Sequence, residues 1–106
     1  MEVMIRPKKL AHVVLKVRDI CRSEQFYTGV LGLKVTARLQ DKMVFMSASE
    51  DSSHELALLA IGTDALNIDS RRVGLYHFAW EMKSFEELRD MYSELNEKGI
   101  EIAGVG

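Results

Sequence analysis

The chain has one cysteine, Cys21, and one proline, Pro7. A single cysteine cannot close an internal disulfide, so the fold must hold through burial and hydrogen bonding, as expected of a protein in a reducing compartment. There is no run of about 20 apolar residues and no apolar signal core near the N-terminus, which leaves no membrane-spanning helix and points to a cytoplasmic location. A surplus of charge of either sign is also missing. With 14 basic and 16 acidic residues interspersed, the formal net charge is -2. Such a balance supplies no field to gather nucleic acid or anionic lipid, and neither is expected as a partner. Histidine is scarce too: His12, His54 and His77 are the three. What the chain does have is apolar content, 47% of 106 residues. That is enough for one small domain with a modest core.

The stretch 74–82, Gly-Leu-Tyr-His-Phe-Ala-Trp-Glu-Met, sets His77 inside a nearly continuous apolar strand. Sliding the sequence by 65 positions (77 − 12, and again 84 − 19) lays His77 on His12 and Ser84 on Asp19, each of the last two suited to start a helix. Two units of strand then helix, each with an early histidine, make an internal repeat. In the first strand, Leu10, His12, Val14 and Lys16 share one face and Ala11, Val13, Leu15 and Val17 the other, because strand side chains alternate. The second face is wholly apolar and is expected to be covered. In the later strand, Leu75, His77, Ala79 and Glu81 lie opposite the bulky set Tyr76, Phe78, Trp80 and Met82. Both histidines are thereby expected to face away from the helices, into a common cup.

Between the two strands the pattern predicts four further elements. Asp19 caps a helix whose apolar positions Ile20, Phe26, Tyr27, Val30 and Leu31 recur at helical spacing and which Gly32 ends. Strands follow at 33–39 and 42–48, joined by the turn Gln40-Asp41, then a polar loop at 49–53 and a strand at 54–61 closed by Gly62. This is a βαβββ unit over about residues 9–62. Residues 63–73 lose the alternation and read as a linker with a solvated Arg71-Arg72 pair. A second unit occupies 74–106. Its helix opens on Ser84-Phe-Glu-Glu87, where the serine oxygen and the glutamate carboxylate satisfy one another's free backbone N–H groups. Phe85, Leu88, Met91, Tyr92 and Leu95 supply its apolar stripe, and Gly99 ends it. A strand begins at 100–102, and the counterpart of His54 would fall at position 119 (54 + 65), beyond Gly106. The fold class is therefore α+β, with paired βαβββ modules forming a cupped mixed sheet, helices on its outer face and the second module incomplete.

On these residues a resemblance emerges. Residues 10–19, Leu-Ala-His-Val-Val-Leu-Lys-Val-Arg-Asp, followed by Ser23, Phe26-Tyr27 and Leu31-Gly32-Leu33, resemble the opening of the vicinal oxygen chelate superfamily. That superfamily comprises glyoxalases, bleomycin-resistance proteins and extradiol dioxygenases. Within it, His54-Glu-Leu-Ala-Leu and Gly74-Leu-Tyr-His77 are most similar to the ring-cleaving extradiol dioxygenases. The resemblance implies a divalent metal, Fe(II) with Mn(II) as a substitute, held by His12 and His77 and by a glutamate whose place lies beyond Gly106. It implies a small catecholic aromatic substrate and a catalytic role for His54 as acid and base, a task suited to an imidazole that titrates near neutrality. Glu81 does not replace the glutamate, since four strand residues at ~3.3 Å each separate it from His77. With two imidazoles and no third ligand, these 106 residues are expected to hold metal weakly and not to cleave rings unaided.

Two other readings share the scaffold: glyoxalase-like isomerisation or lyase chemistry on different ligand strands, and sequestration of a small molecule by a protein or truncated remnant that keeps the fold without the metal. A strand at 100–102 without a successor leaves open edges, so a homodimer is expected, with Glu50 or Glu55 of a second copy as the available carboxylates. The aromatic residues Phe26, Tyr27, Trp80, Phe85 and Tyr92 read as helix-on-sheet core. Met43 and Met46 read as filler unless they face the cup. Cys21, near a helix start, reads as structural.

Overall fold

The computed structural model describes residues 4–50 and 54–103. The chain divides into two compact units, Met1–Asn67 and Ile68–Gly106.

In the first unit the order is β1 (Val13–Val17), α1 (Ile20–Gly29), β2 (Lys34–Leu39), β3 (Met43–Ser47) and β4 (Leu56–Ala60), with the sheet order β1-β4-β3-β2. β1 runs parallel to β4, while β4 with β3 and β3 with β2 are antiparallel. A parallel pair needs a crossover, and everything from α1 through β3 lies between β1 and β4. The local signals act as written. The Asp19 carboxylate accepts from the Arg22 N–H at 3.1 Å, and Gly32 adopts the left-handed φ of +72° just past α1.

Register assigns the faces. Val13 and Leu15 stand beside Leu56 and Leu58, which stand opposite Met46 and Val44. Helix α1 packs on β3 and β4, and on this face Leu56, Leu58, Val44 and Met46 are buried outright. At its β2 edge Arg38 reaches α1, donating from both terminal nitrogens to the two oxygens of Glu24 at 2.7 Å each. The opposite face carries Val14, Lys16, Ala57, Leu59, Phe45 and Met43. A register shift between Val35 and Ala37 bulges β2 at Thr36.

Several boundaries differ from expectation for reasons of pairing. The first strand starts at Val13, not Leu10, because β4 offers no residue opposite the earlier positions; the Val13 N–H to Glu55 carbonyl bond, 2.8 Å, is the first rung. β4 starts at Leu56, not at His54. The chain bends at Glu55, whose N–H donates to the Met46 carbonyl at 3.1 Å while its carboxylate accepts from the Ala48 N–H at 3.0 Å. Of the polar loop expected at 49–53, residues 51–53 lie outside those described.

The second unit contains α2 (Phe85–Glu97). Ser84 caps it, its side-chain oxygen accepting from the Glu87 N–H at 3.1 Å. At the other end Gly99, φ +71°, turns the chain so that its N–H meets the Asn96 carbonyl and the Ile100 N–H meets the Leu95 carbonyl, the paired bonds of a Schellman stop. Among the described residues, 74–82 and 100–102 belong to no strand. Both stretches were expected as strands. Strand structure is defined by ladder bonds, and no described segment pairs with them. Residues 78–82 still alternate, with Phe78, Trp80 and Met82 half-buried and Ala79 and Glu81 exposed; the rings of Phe78 and Trp80 meet edge-on at 6.2 Å. The expected stripe of α2 is a correction as well. Met91 and Leu95 are half-buried, but Phe85 is 77% exposed and Leu88 53%.

Candidate metal and proton-transfer site

Two of the three histidines meet in the first unit. His12 precedes β1 on the side of Val14 and Lys16, and its ring centroid lies 4.8 Å from that of His54, the planes tilted by 42°. His54 in turn meets the ring of Phe45 edge-on at 5.1 Å. Strict alternation along β4 would send His54 to the side of Leu56, under α1. The bend at Glu55 releases it to the opposite face, beside Phe45. His54 there lines an open depression of about 430 Å³ together with Thr36, Ala37 and Phe45.

Phe45, Thr36 and Ala37 were not singled out from sequence. In β3 both faces are apolar, so alternation alone does not say which residue lies on the open face of the sheet. The register supplies the answer: Phe45 pairs with Ala37 on one side and Ala57 on the other, two methyl-sized neighbours that leave its ring standing above the sheet. Met46 is buried under α1 and Met43 is on the open face.

His77 belongs to the second unit. It is exposed, its ring 5.3 Å from that of Tyr76. Among the described residues no group of three or more His, Cys, Asp or Glu side chains is placed to hold a metal ion. The described residues therefore do not fit a centre of two imidazoles and one carboxylate. The carboxylates expected from a second copy are engaged at home: Glu50 takes a 2.7 Å bond from Lys34, which holds its carboxyl below the usual range, and Glu55 holds the Ala48 N–H.

Residues 9–105 match the Glyoxalase/Bleomycin resistance protein/Dioxygenase superfamily. Among curated proteins, metapyrocatechase 2 of Cupriavidus necator is 28% identical over 95 residues, covering 90% of this chain and 27% of that protein. Biphenyl-2,3-diol 1,2-dioxygenase 3 of Rhodococcus globerulus is 33% identical over 96 residues, covering 88% and 48%. Catechol-2,3-dioxygenase of Bacillus subtilis (strain 168) is 33% identical over 94 residues, covering 88% and 32%. The chain thus spans from about a quarter to about half of the length of these relatives. Among solved structures, a lactoylglutathione lyase from Agrobacterium tumefaciens superposes with a TM-score of 0.69 at 19% identity, over 92% of this chain and 75% of that one. A possible glyoxalase from Bacillus cereus gives 0.64 at 18%, over 88% and 76%. These structures share the fold. The chain belongs to the glyoxalase, bleomycin resistance protein and dioxygenase superfamily.

Proposed function

We propose that these residues carry part of an extradiol-type ring-cleaving site for a small catecholic substrate. His12 and His77 are its imidazole ligands to a divalent metal, Fe(II) with Mn(II) as a substitute, and His54 is its proton carrier. The third ligand, a carboxylate, comes from outside the described residues. One observation carries the reading: the bend at Glu55 places His54 beside His12 and Phe45, at the mouth of an open depression, where otherwise it would lie under α1. An imidazole so placed can take the proton of a substrate hydroxyl and return it, while Phe45 and Ala37 offer an apolar wall to a planar ring. The relatives named as catechol and biphenyldiol dioxygenases support this choice of substrate class. The described residues by themselves do not close the coordination sphere.

The test is catechol-dependent oxygen uptake with added Fe(II), with and without excess acetate as a surrogate for the missing carboxylate. Without acetate, uptake is expected to be near background; with it, iron-dependent uptake appears. His12→Ala and His77→Ala abolish that uptake, and His54→Ala lowers it by about 10²- to 10⁴-fold, the range typical of a lost general base. Absence of uptake under every condition, or uptake indifferent to His12→Ala and His77→Ala, defeats the reading.

A further inference from the structure

We infer that His12 and His54 form a bis-imidazole chelate for a late first-row divalent ion such as Ni(II), Cu(II) or Zn(II), complete within the first unit and independent of His77. This goes beyond the dioxygenase reading, in which His54 touches no metal.

The geometry of the two rings carries it. An imidazole nitrogen bound at ~2.1 Å puts its ring centroid about 3.2 Å from the ion. Two such rings separated by 90° to 109° at the metal then have centroids about 4.6 to 5.3 Å apart, covering square-planar and tetrahedral sites. The observed separation is 4.8 Å. The 42° tilt is neither the parallel offset nor the edge-on arrangement that ring quadrupoles favour. Both side chains are held from the backbone. The Val13 N–H to Glu55 carbonyl bond, 2.8 Å, ties together the residues that immediately follow His12 and His54, and Phe45 flanks the His54 ring.

The donor set chooses the ion. Two imidazoles without a carboxylate do not suit Mg(II) or Ca(II), which require oxygen ligands. Affinity at nitrogen sites rises along the first row to Cu(II), so the pair favours Ni(II), Cu(II) and Zn(II) over Fe(II). An ion bound here uses a His54 nitrogen and thereby removes the proton carrier of the proposed reaction.

Isothermal titration of the 106-residue protein with Ni(II) alone, no substrate or iron present, tests the assignment. One equivalent is expected to bind. His12→Ala and His54→Ala should each weaken binding by about tenfold or more, since even outer-shell losses at metal sites cost that much, while His77→Ala changes it less than twofold. Glutamine at position 54 (His54→Gln), which keeps bulk and polarity, should fail to rescue, and far-UV circular dichroism of each variant checks that the fold is kept. Binding that depends on His77 and not on His54 overturns the assignment and favours the His12 and His77 pairing instead. Retention of affinity in both His12→Ala and His54→Ala overturns it as well. Failure of ring cleavage leaves these outcomes untouched, because no turnover enters the measurement.

Discussion

The two units were written with similar signals and folded to different depths. Each has an apolar alternating stretch, a capped helix and a left-handed glycine at the helix end. Among the described residues, the six buried apolar ones, Leu33, Val44, Met46, Leu56, Ala57 and Leu58, lie in the first unit. In the second, Tyr76 is 95% exposed, and α2, like α1, has no fully buried residue. The difference teaches what local signals can do alone. Caps and alternation set where a helix starts and which side chains share a face, but burial requires paired strands with a helix across them, and only the first unit assembles these among the described residues.

The largest effect should come from core truncation. Leu58→Ala removes a fully buried side chain from the row Leu15, Leu58, Val44 beneath α1 and is expected to cost about 2–5 kcal/mol. Leu88→Ala, on the exposed side of α2, should cost within about 0.5 kcal/mol. Urea unfolding of both at several protein concentrations checks the contrast. A Leu88→Ala cost comparable to that of Leu58→Ala, growing with concentration, would break it, because the stripe Phe85, Leu88 and Tyr92 would then be buried against a second copy. That outcome would favour the homodimer expected from the open edges.

An intermediate effect separates the two helices. Isolated helices shorter than ~12–15 residues are marginal in water, and α2, 13 residues long with Phe85 and Leu88 of its stripe exposed, depends heavily on its ends. Ser84→Ala is expected to cost about 1 kcal/mol and to lower the 222 nm ellipticity, through fraying from Phe85 onward. Asp19→Ala removes the equivalent bond from α1, yet α1 is pressed on β3 and β4, so its cost should appear in the global unfolding midpoint with little change in native ellipticity. Equal loss of native ellipticity in both variants would show that packing on the sheet does not protect α1.

How far the fold was legible follows the same line. Asp19, Ser84, Gly32 and Gly99 act over one turn, and such signals can be read residue by residue. The strands of the first unit were legible in number and order, with ends displaced by one to three residues, because a ladder ends where its partner ends and partners are not written locally. For the site, His12 was placed on the open face by alternation. His54 reached that face only through the bend at Glu55, which depends on bonds to Met46 and Ala48 in another strand and its flank. Phe45 was hidden because apolar residues on both faces of β3 erase the alternation, and the β2 bulge at Thr36 is visible only in the register.

The smallest effect concerns the strap between α1 and the β2 edge, and its sign can be worked out. The Arg38 hydrogen bonds and, after partial burial acting the other way, its charge hold the Glu24 carboxyl below its ordinary value of 4.5. The folded protein therefore takes up this proton at lower pH than the unfolded chain does. Stability from the pair is fully present above 4.5 and is lost as the pH falls through the lowered folded value. The Arg38 side chain is 52% exposed and that of Glu24 22%, so solvent screens the pair and its contribution is small, at most one proton's worth of slope on the acid limb. The Lys34 and Glu50 pair has the same sign, but with 67% and 84% exposure it ties no helix to the sheet. Thermal midpoints between pH 3 and pH 6, roughly the window for carboxylate titration, should show a flatter acid limb for Glu24→Gln than for the parent. Glu50→Gln should track the parent closely, and added salt should shrink what difference there is. A Glu50→Gln profile flatter than that of Glu24→Gln would place the acid-sensitive contact at the end of β3, leaving α1 held by its apolar packing alone.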